Sequence, residues 1–117
     1  MRNVLITGAS GFIGFHTVQE FINRGCFVYA LVHNSIRPDL FELEKENRLK
    51  VVKVDVTDFA TLTEIFKDFP ELDAIIHCAG RASDVGWDSS FRKANFESVK
   101  HFVELTKKHN VHRFVFV

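Results

Sequence analysis

The chain has 117 residues, enough for one domain with a real core and too few for two. Fifteen basic and fifteen acidic side chains leave no basic excess, which argues against a nucleic-acid or anionic membrane-surface partner. No apolar run reaches bilayer-spanning length, and the six histidines form no metal-ligand spacing, so neither a membrane span nor a metal centre is expected.

Val4-Leu5-Ile6 opens the chain as a short apolar strand over residues 3–7, of the kind buried on both faces of a parallel sheet. With a strand starting at Asn3, no signal peptide is expected. The strand runs into Thr7-Gly8-Ala9-Ser10-Gly11-Phe12-Ile13-Gly14, and an amphipathic helix follows. Gly8 suits a tight turn, Gly11 a close approach of backbone to an anion, and Gly14 close packing of the new helix on the sheet. The free N–H groups of that helix and its dipole favour an anion, and a dinucleotide pyrophosphate is the natural occupant.

Thr-Gly-x-x-Gly-x-x-Gly, as Thr7 to Gly14, resembles the fingerprint of extended short-chain dehydrogenase/reductases of the epimerase/dehydratase type. That likeness extends along the whole chain but covers only the cofactor half of such an enzyme. It implies NAD or NADP as cofactor, with Gly8, Ser10, Gly11, Phe12, Ile13 and Gly14 around the diphosphate.

Phe12, Ile13, Val18, Phe21 and Ile22 recur at helical spacing up to Gly25, a C-cap candidate. Phe27–Val32 is a second strand carrying Tyr29, the one tyrosine of the chain. Cys26 and Cys78 lie in apolar runs and are expected as buried, reduced thiols of a cytoplasmic protein. The end of the second strand selects between the two dinucleotides: an acid there accepts from a ribose diol, a base suits a 2′-phosphate. Here Ala30-Leu31-Val32-His33-Asn34-Ser35-Ile36-Arg37 holds no acid before Asp39. A related Ala-Leu-Val-Arg-Asn pattern resembles NADP-preferring members. His33 when protonated, and Arg37, could supply the charge, so the sequence leans to NADP over NAD.

Pro38–Asn47 suits a short helix with Pro in its first turn, and Leu49–Val54 a third strand. By resemblance, Asp55 and Val56 lie beside the adenine ring, the carboxylate near the exocyclic amine. Asp58 is placed to cap a helix carrying Phe59, Leu62, Ile65, Phe66 and Phe69, which Pro70 ends. Asp73–Cys78 is a fourth strand opening into His77-Cys78-Ala79-Gly80. That stretch resembles the family's His-x-Ala-Ala motif, with Ala79 and Gly80 as the small residues against the cofactor. His77 is expected as a strand-end histidine satisfied by backbone, with no acid–base role. Ser83-Asp84-Val85-Gly86-Trp87, in the following loop, is similar to steroid-dehydrogenase-like members.

Phe91–Asn110 is a long helix whose buried face is Val99, Phe102, Val103 and Leu105. Asn95 matches the family asparagine that holds backbone near the active site, while the usual Gly-Thr is Ser98-Val99 here. Such helices pair between subunits in relatives, and self-association through this helix or through the fifth strand, Val111–Val117, is expected. The alternation implies a Rossmann-type, doubly wound α/β fold: one parallel sheet of five strands in order 3-2-1-4-5, truncated after the fifth, forming one incomplete dinucleotide-binding domain over residues 1–117.

The resemblance places chemistry in a serine or threonine after the fifth strand and a Tyr-x-x-x-Lys on the next helix. Four residues past Tyr29 stands His33, so no catalytic residue is assigned. The expectation is the cofactor half of an epimerase, dehydratase or reductase. The alternatives are a natural short dinucleotide-binding sensor or partner subunit, and a fragment of a 3β-hydroxysteroid-dehydrogenase-like enzyme.

Overall fold

The computed structural model describes residues 2–34, 36–78 and 89–117, the last stretch with side chains from 96 onward. Ala79, Gly80 and the Ser83–Trp87 stretch lie outside the described residues, as does the side chain of Asn95. Among the described residues nine elements follow one another: β1 (Asn3–Thr7), α1 (Phe12–Asn23), β2 (Phe27–Val32), α2 (Pro38–Lys45), β3 (Leu49–Lys53), α3 (Phe59–Asp68), β4 (Ala74–His77), α4 (Ser89–Lys108) and β5 (Arg113–Phe116). The five strands form one parallel sheet in the order β3-β2-β1-β4-β5. The order reverses between β1 and β4, which places a crevice beyond their C-terminal ends.

Two apolar clusters sandwich the sheet. One gathers Val4, Ile6, Phe15, Val18, Ile22, Val28, Ala30 and Leu40, on the side of α1 and α2. The other gathers Leu5, Leu31, Leu62, Phe66, Ile75, Phe102 and Leu105, on the side of α3 and α4. Alternation along β1 divides Val4 and Ile6 from Leu5, so each strand feeds both layers. Ser98 is buried where the family motif has glycine. Val99 and Val103 are only half-buried, so Ser98, Phe102 and Leu105 carry the inward face of α4.

Helix ends follow local chemistry. Asp58 accepts the Thr61 N–H at 3.3 Å and the Thr61 hydroxyl at 2.7 Å, capping α3 as expected. After α1, Gly25 sits at φ +85°, with its N–H on the Ile22 carbonyl and the Cys26 N–H on that of Phe21. Gly25 is therefore the residue just past the cap, and Arg24 is the cap itself. Asn47 and Asn110 take the same left-handed conformation after α2 and α4, at φ 60° and 55°. Only α3 stops differently: Phe69, ahead of Pro70, is extended at ψ 145°.

Several expectations need correction. Phe12 and Ile13 do not join the core. They are 74% and 55% exposed, and the buried face of α1 begins at Gly14 and Phe15. Cys26 and Cys78 are free but half-buried rather than buried, and Cys26 precedes β2. Tyr29 is also half-buried, its ring 5.2 Å from Phe27 and 4.8 Å from Phe69. Among the described residues no helix is long and apolar enough to cross a membrane.

The two sheet edges differ. At the β3 edge, Glu44 of α2 accepts the Val51 N–H at 2.7 Å. The Val54 N–H points inward to the Val32 carbonyl, so by alternation that of Val51 points outward, and Glu44 occupies it. At the β5 edge, Val115 and Phe116 are exposed, and among the described residues no strand pairs outside β5.

His77 ends β4 and is 1% exposed. Its ring lies 4.8 Å from that of Phe102 and 5.5 Å from that of Phe116. Burial lowers its pKa to about 4, so the folded chain holds it neutral. The unfolded chain binds a proton near the ordinary value of about 6.5. Stability is therefore complete above that value and is lost as pH falls toward 4. Urea unfolding at pH 7 and pH 5 should show the native chain losing about 2 kcal/mol more than a His77→Asn variant. Equal losses in the two chains would show that His77 is not the titrating group.

Candidate functional site

The crevice is built around the β1–α1 turn. Gly8, at φ +63°, turns the chain off β1 in a conformation closed to most side chains. The Gly11 N–H returns to the Gly8 carbonyl at 3.0 Å, and the Ala9 N–H bonds the Leu31 carbonyl of β2 at 3.2 Å. These bonds fix the turn to itself and to the sheet. Gly14 then sits against it so closely that an added Cβ would fall 1.9 Å from the Gly8 carbonyl oxygen and 3.2 Å from the Ala9 Cα. Gly14 thus serves contact with the turn itself more directly than contact with the strands.

The turn leaves donors facing outward. Gly11 is the N-cap of α1 and offers no side chain to cap the first-turn amides. No acid occupies that first turn, so the positive end of the helix dipole is not countered there. Beside it the Ser10 hydroxyl oxygen is buried with no hydrogen-bond partner. A buried hydroxyl left unpaired costs roughly 1–3 kcal/mol, which a ligand oxygen at this point would recover. The donors and the orphan hydroxyl fit a diphosphate group. A Cβ at Gly11 would lie 3.4 Å from the Gly8 carbonyl oxygen, an ordinary contact, so sterics within the chain do not require glycine there.

Thr7 joins the two sides of the crevice. Its hydroxyl accepts the Cys78 N–H at 2.9 Å and lies 2.7 Å from His77 Nδ1. His77 is therefore satisfied by a threonine side chain, not by backbone as the sequence suggests. With the imidazole proton on Nε2, Thr7 donates to Nδ1 while accepting from Cys78. Nothing in a lone strand-end threonine pointed to this; the signal is the in-register pairing of Thr7 with His77. Burial raises the Cys78 thiol pKa, so the thiol stays protonated and unreactive at neutral pH.

Farther along the sheet, His33 leaves the end of β2 and Asp55 follows β3. His33 Nε2 lies 3.6 Å from Asp55 Oδ2, a pairing that sequence separation hides. Asp55 also accepts the Thr57 hydroxyl at 2.7 Å and the Thr57 N–H at 2.9 Å. Those two bonds, ahead of the charge on His33, lower its pKa and keep it ionised. Val56 is half-buried against the α3–α4 cluster. Arg37 places its guanidinium 4.4 Å from the centre of the Phe15 ring, on the second residue past the glycine turn's Ile13. The structure thus gathers Gly8, Ser10, Gly11, Phe12, Ile13 and Gly14 in one turn, pairs His33 with Asp55, and ties Arg37 to α1. Among the described residues there is no cluster that could hold a metal ion.

A parallel sheet in this order, with a glycine turn opening α1 at its switch point, defines a Rossmann-type doubly wound α/β protein. Within that class the chain belongs to the NAD dependent epimerase/dehydratase family, whose sequence pattern matches residues 4–117. It is 40% identical over 80 residues to a dTDP-4-dehydro-6-deoxy-D-allose reductase of a Streptomyces species, covering 67% of this chain and 24% of that protein. It is 32% identical to a UDP-glucose 4-epimerase of Schizosaccharomyces pombe, covering 97% of this chain and 34% of the relative. The crystal structure of UDP-glucose 4-epimerase from Bifidobacterium longum, in complex with NAD+ and UDP, superposes with a TM-score of 0.77 at 31% identity, covering 97% of this chain and 36% of that one. The Bordetella bronchiseptica enzyme WbmH, in complex with NAD+, gives 0.77 at 27% identity, over 97% of this chain and 38% of that one. The chain therefore spans between a quarter and two fifths of the length of these relatives.

The two glycines separate cleanly in a test. Gly14→Ala should lower stability by about 2 kcal/mol, because the first turn of α1 must move off Gly8. Gly11→Ala should leave stability unchanged or raise it by about 0.5 kcal/mol, yet weaken dinucleotide binding more than tenfold if backbone must approach the diphosphate there. Thermal melts and fluorescence titrations on both variants check the pair.

Proposed function

We propose that residues 1–117 form the nicotinamide-dinucleotide-holding domain of an enzyme acting on a sugar nucleotide by epimerisation, dehydration or reduction, and that the chain alone binds the dinucleotide without turnover. The observation that carries this is the uncapped start of α1, with Gly14 seated on Gly8 and the Ser10 hydroxyl buried without a partner. The relatives' names supply the substrate class, since both the Streptomyces reductase and the yeast epimerase act on nucleotide-linked sugars by name.

In this proposal Gly8, Ser10, Gly11, Phe12, Ile13 and Gly14 hold the diphosphate through backbone N–H groups and the Ser10 hydroxyl. Asp55 and Val56 flank the adenine, and His33 and Arg37 approach the adenosine ribose. Ala79, Gly80 and Asn95 complete the nicotinamide side. When bound, the dinucleotide supplies a hydride carrier. The residues of this chain bind and orient it, and none of them is assigned a proton-transfer role. The one tyrosine, Tyr29, is packed against Phe27 and Phe69 on β2, far in sequence from any lysine at the spacing the chemistry uses.

For the choice of dinucleotide we favour NADP, because His33 and Arg37 are the side chains flanking the end of β2 and neither is an acid. A second reading, NAD, draws support from the His33–Asp55 contact, which brings a carboxylate to the same place. Two free thiols are in keeping with a cytoplasmic setting. We also propose self-association, through α4, where Phe96 is 69% exposed, or through the β5 edge, where Phe116 is 55% exposed.

Fluorescence titration of the purified chain with NADH and NADPH should show saturable binding of at least one, with no dehydrogenase, epimerase or dehydratase turnover on sugar nucleotides. No binding of either refutes the proposal, as does robust turnover. Light scattering at rising concentration should give a mass above the monomer, and Phe116→Lys or Phe96→Glu should lower it. A constant monomer mass excludes self-association.

A further inference from the structure

The Val117 N–H points inward, to the His77 carbonyl at 3.1 Å. By alternation Arg113 and Val115 direct their backbone groups the same way, and the N–H and C=O groups of Phe114 and Phe116 point outward. Among the described residues no strand pairs with them. The side chains alternate as well. Phe114 and Phe116 lie on the α4 face, their rings 6.4 Å and 5.5 Å from that of His77. Val115 lies on the other face, beside Val4 and Ile76. Val115, Phe116 and Val117 are all exposed. Residues 114–117 carry no charge and no proline, the devices by which edge strands resist pairing.

The opposite margin of the sheet differs. There the Glu44 carboxylate accepts the Val51 N–H at 2.7 Å, and a strand adding to β3 must displace it. Joining β5 of one copy to β3 of the next, which would build an open-ended ribbon, is opposed by that carboxylate. Pairing of β5 with β5 meets no such obstacle. A closed pair has a two-fold axis, and an axis normal to the sheet sets the two strands antiparallel. In an antiparallel ladder, two outward-facing residues set opposite one another exchange both of their hydrogen bonds. Phe114 opposite the partner's Phe116 engages both outward residues of each strand. Phe114 opposite the partner's Phe114, or Phe116 opposite the partner's Phe116, engages half as many.

Resting on the self-association proposed above, we propose that the chain dimerises by antiparallel pairing of β5 with β5 of a second copy, Phe114 opposite the partner's Phe116 and Val115 on the two-fold axis. The two sheets become one. Phenylalanines meet across the joint on the α4 face, and Val115 meets its own copy on the α1 face. Cross-strand aromatic and β-branched pairs of this kind stabilise a ladder. Val115 falls at a non-hydrogen-bonded position, where Cα atoms approach to about 4.5 Å. The joint makes no use of Phe96.

Disulfide trapping reads the register directly. In a Cys26→Ser, Cys78→Ser chain, Val115→Cys should cross-link to a dimer under mild oxidation, since a Cα separation of about 4.5 Å is within disulfide reach. Val117→Cys, on the same face and also exposed, should not cross-link, because its two copies stand about 14 Å apart. Light scattering on the native chain should rise to the mass of two chains and stop there. Val115→Lys opposes like charges on the axis and should weaken dimerisation about tenfold or more, whereas Phe96→Glu should leave it unchanged. A dimer that survives Val115→Lys, equal cross-linking at positions 115 and 117, or a mass that climbs past two chains overturns this pairing while leaving self-association standing. A monomer at every concentration overturns both.

Discussion

The crevice depends on a contact that leaves no room for a side chain. The first turn of α1 rests on the Gly8 carbonyl so closely that a methyl group at Gly14 would overlap it. That contact sets where the helix begins, and so where its unpaired amides point. Gly8 supplies the left-handed turn, the Ala9 and Gly11 N–H groups hold it, and Gly14 lets the helix close onto it. Without that closure α1 would start elsewhere, and the Ser10 hydroxyl would have no reason to be buried beside the helix end.

The other wall of the crevice is held from beneath. Where β1 turns away at Gly8, the parallel ladder to β4 runs out, and the Thr7 hydroxyl takes the Cys78 N–H instead. The same hydroxyl meets His77, a buried imidazole held neutral among aromatic rings. A single side chain therefore satisfies two polar groups at the point where backbone pairing ends. The arrangement links the site to stability: the group that steadies the crevice is also one whose protonation the fold opposes.

Much of the fold was legible in the residues. The five apolar runs, the glycine turn, Asp58 at a helix start and Pro70 at a helix end each encode a local choice that packing later agrees with. The sheet order follows from alternation and crossover handedness. Side-chain exposure at the start of α1 was not legible, because helical spacing groups Phe12 and Ile13 with Val18 and Ile22 without saying where the core ends. The partner of His77 and the pairing of His33 with Asp55 were hidden for another reason. Both depend on strand register, which brings together residues 70 and 22 positions apart, and no local pattern carries that information. The buried Ser98, where the family pattern has glycine, shows the converse: a departure in sequence that the helix packing accommodates.

The carboxylate of Glu44 on the Val51 N–H has an architectural consequence. It closes one border of the sheet with a group that another strand would have to displace, while at the opposite border no described strand pairs with the outer side of β5. Extension of the sheet is thereby one-sided. Neighbouring strands lie about 4.8 Å apart, so a strand added at β5 would stand about 14 Å from β1, three positions over. The ribbon could lengthen there without crowding the notch at Gly8, because the side that accepts additions and the side that turns toward His33 are opposite margins of the same layer.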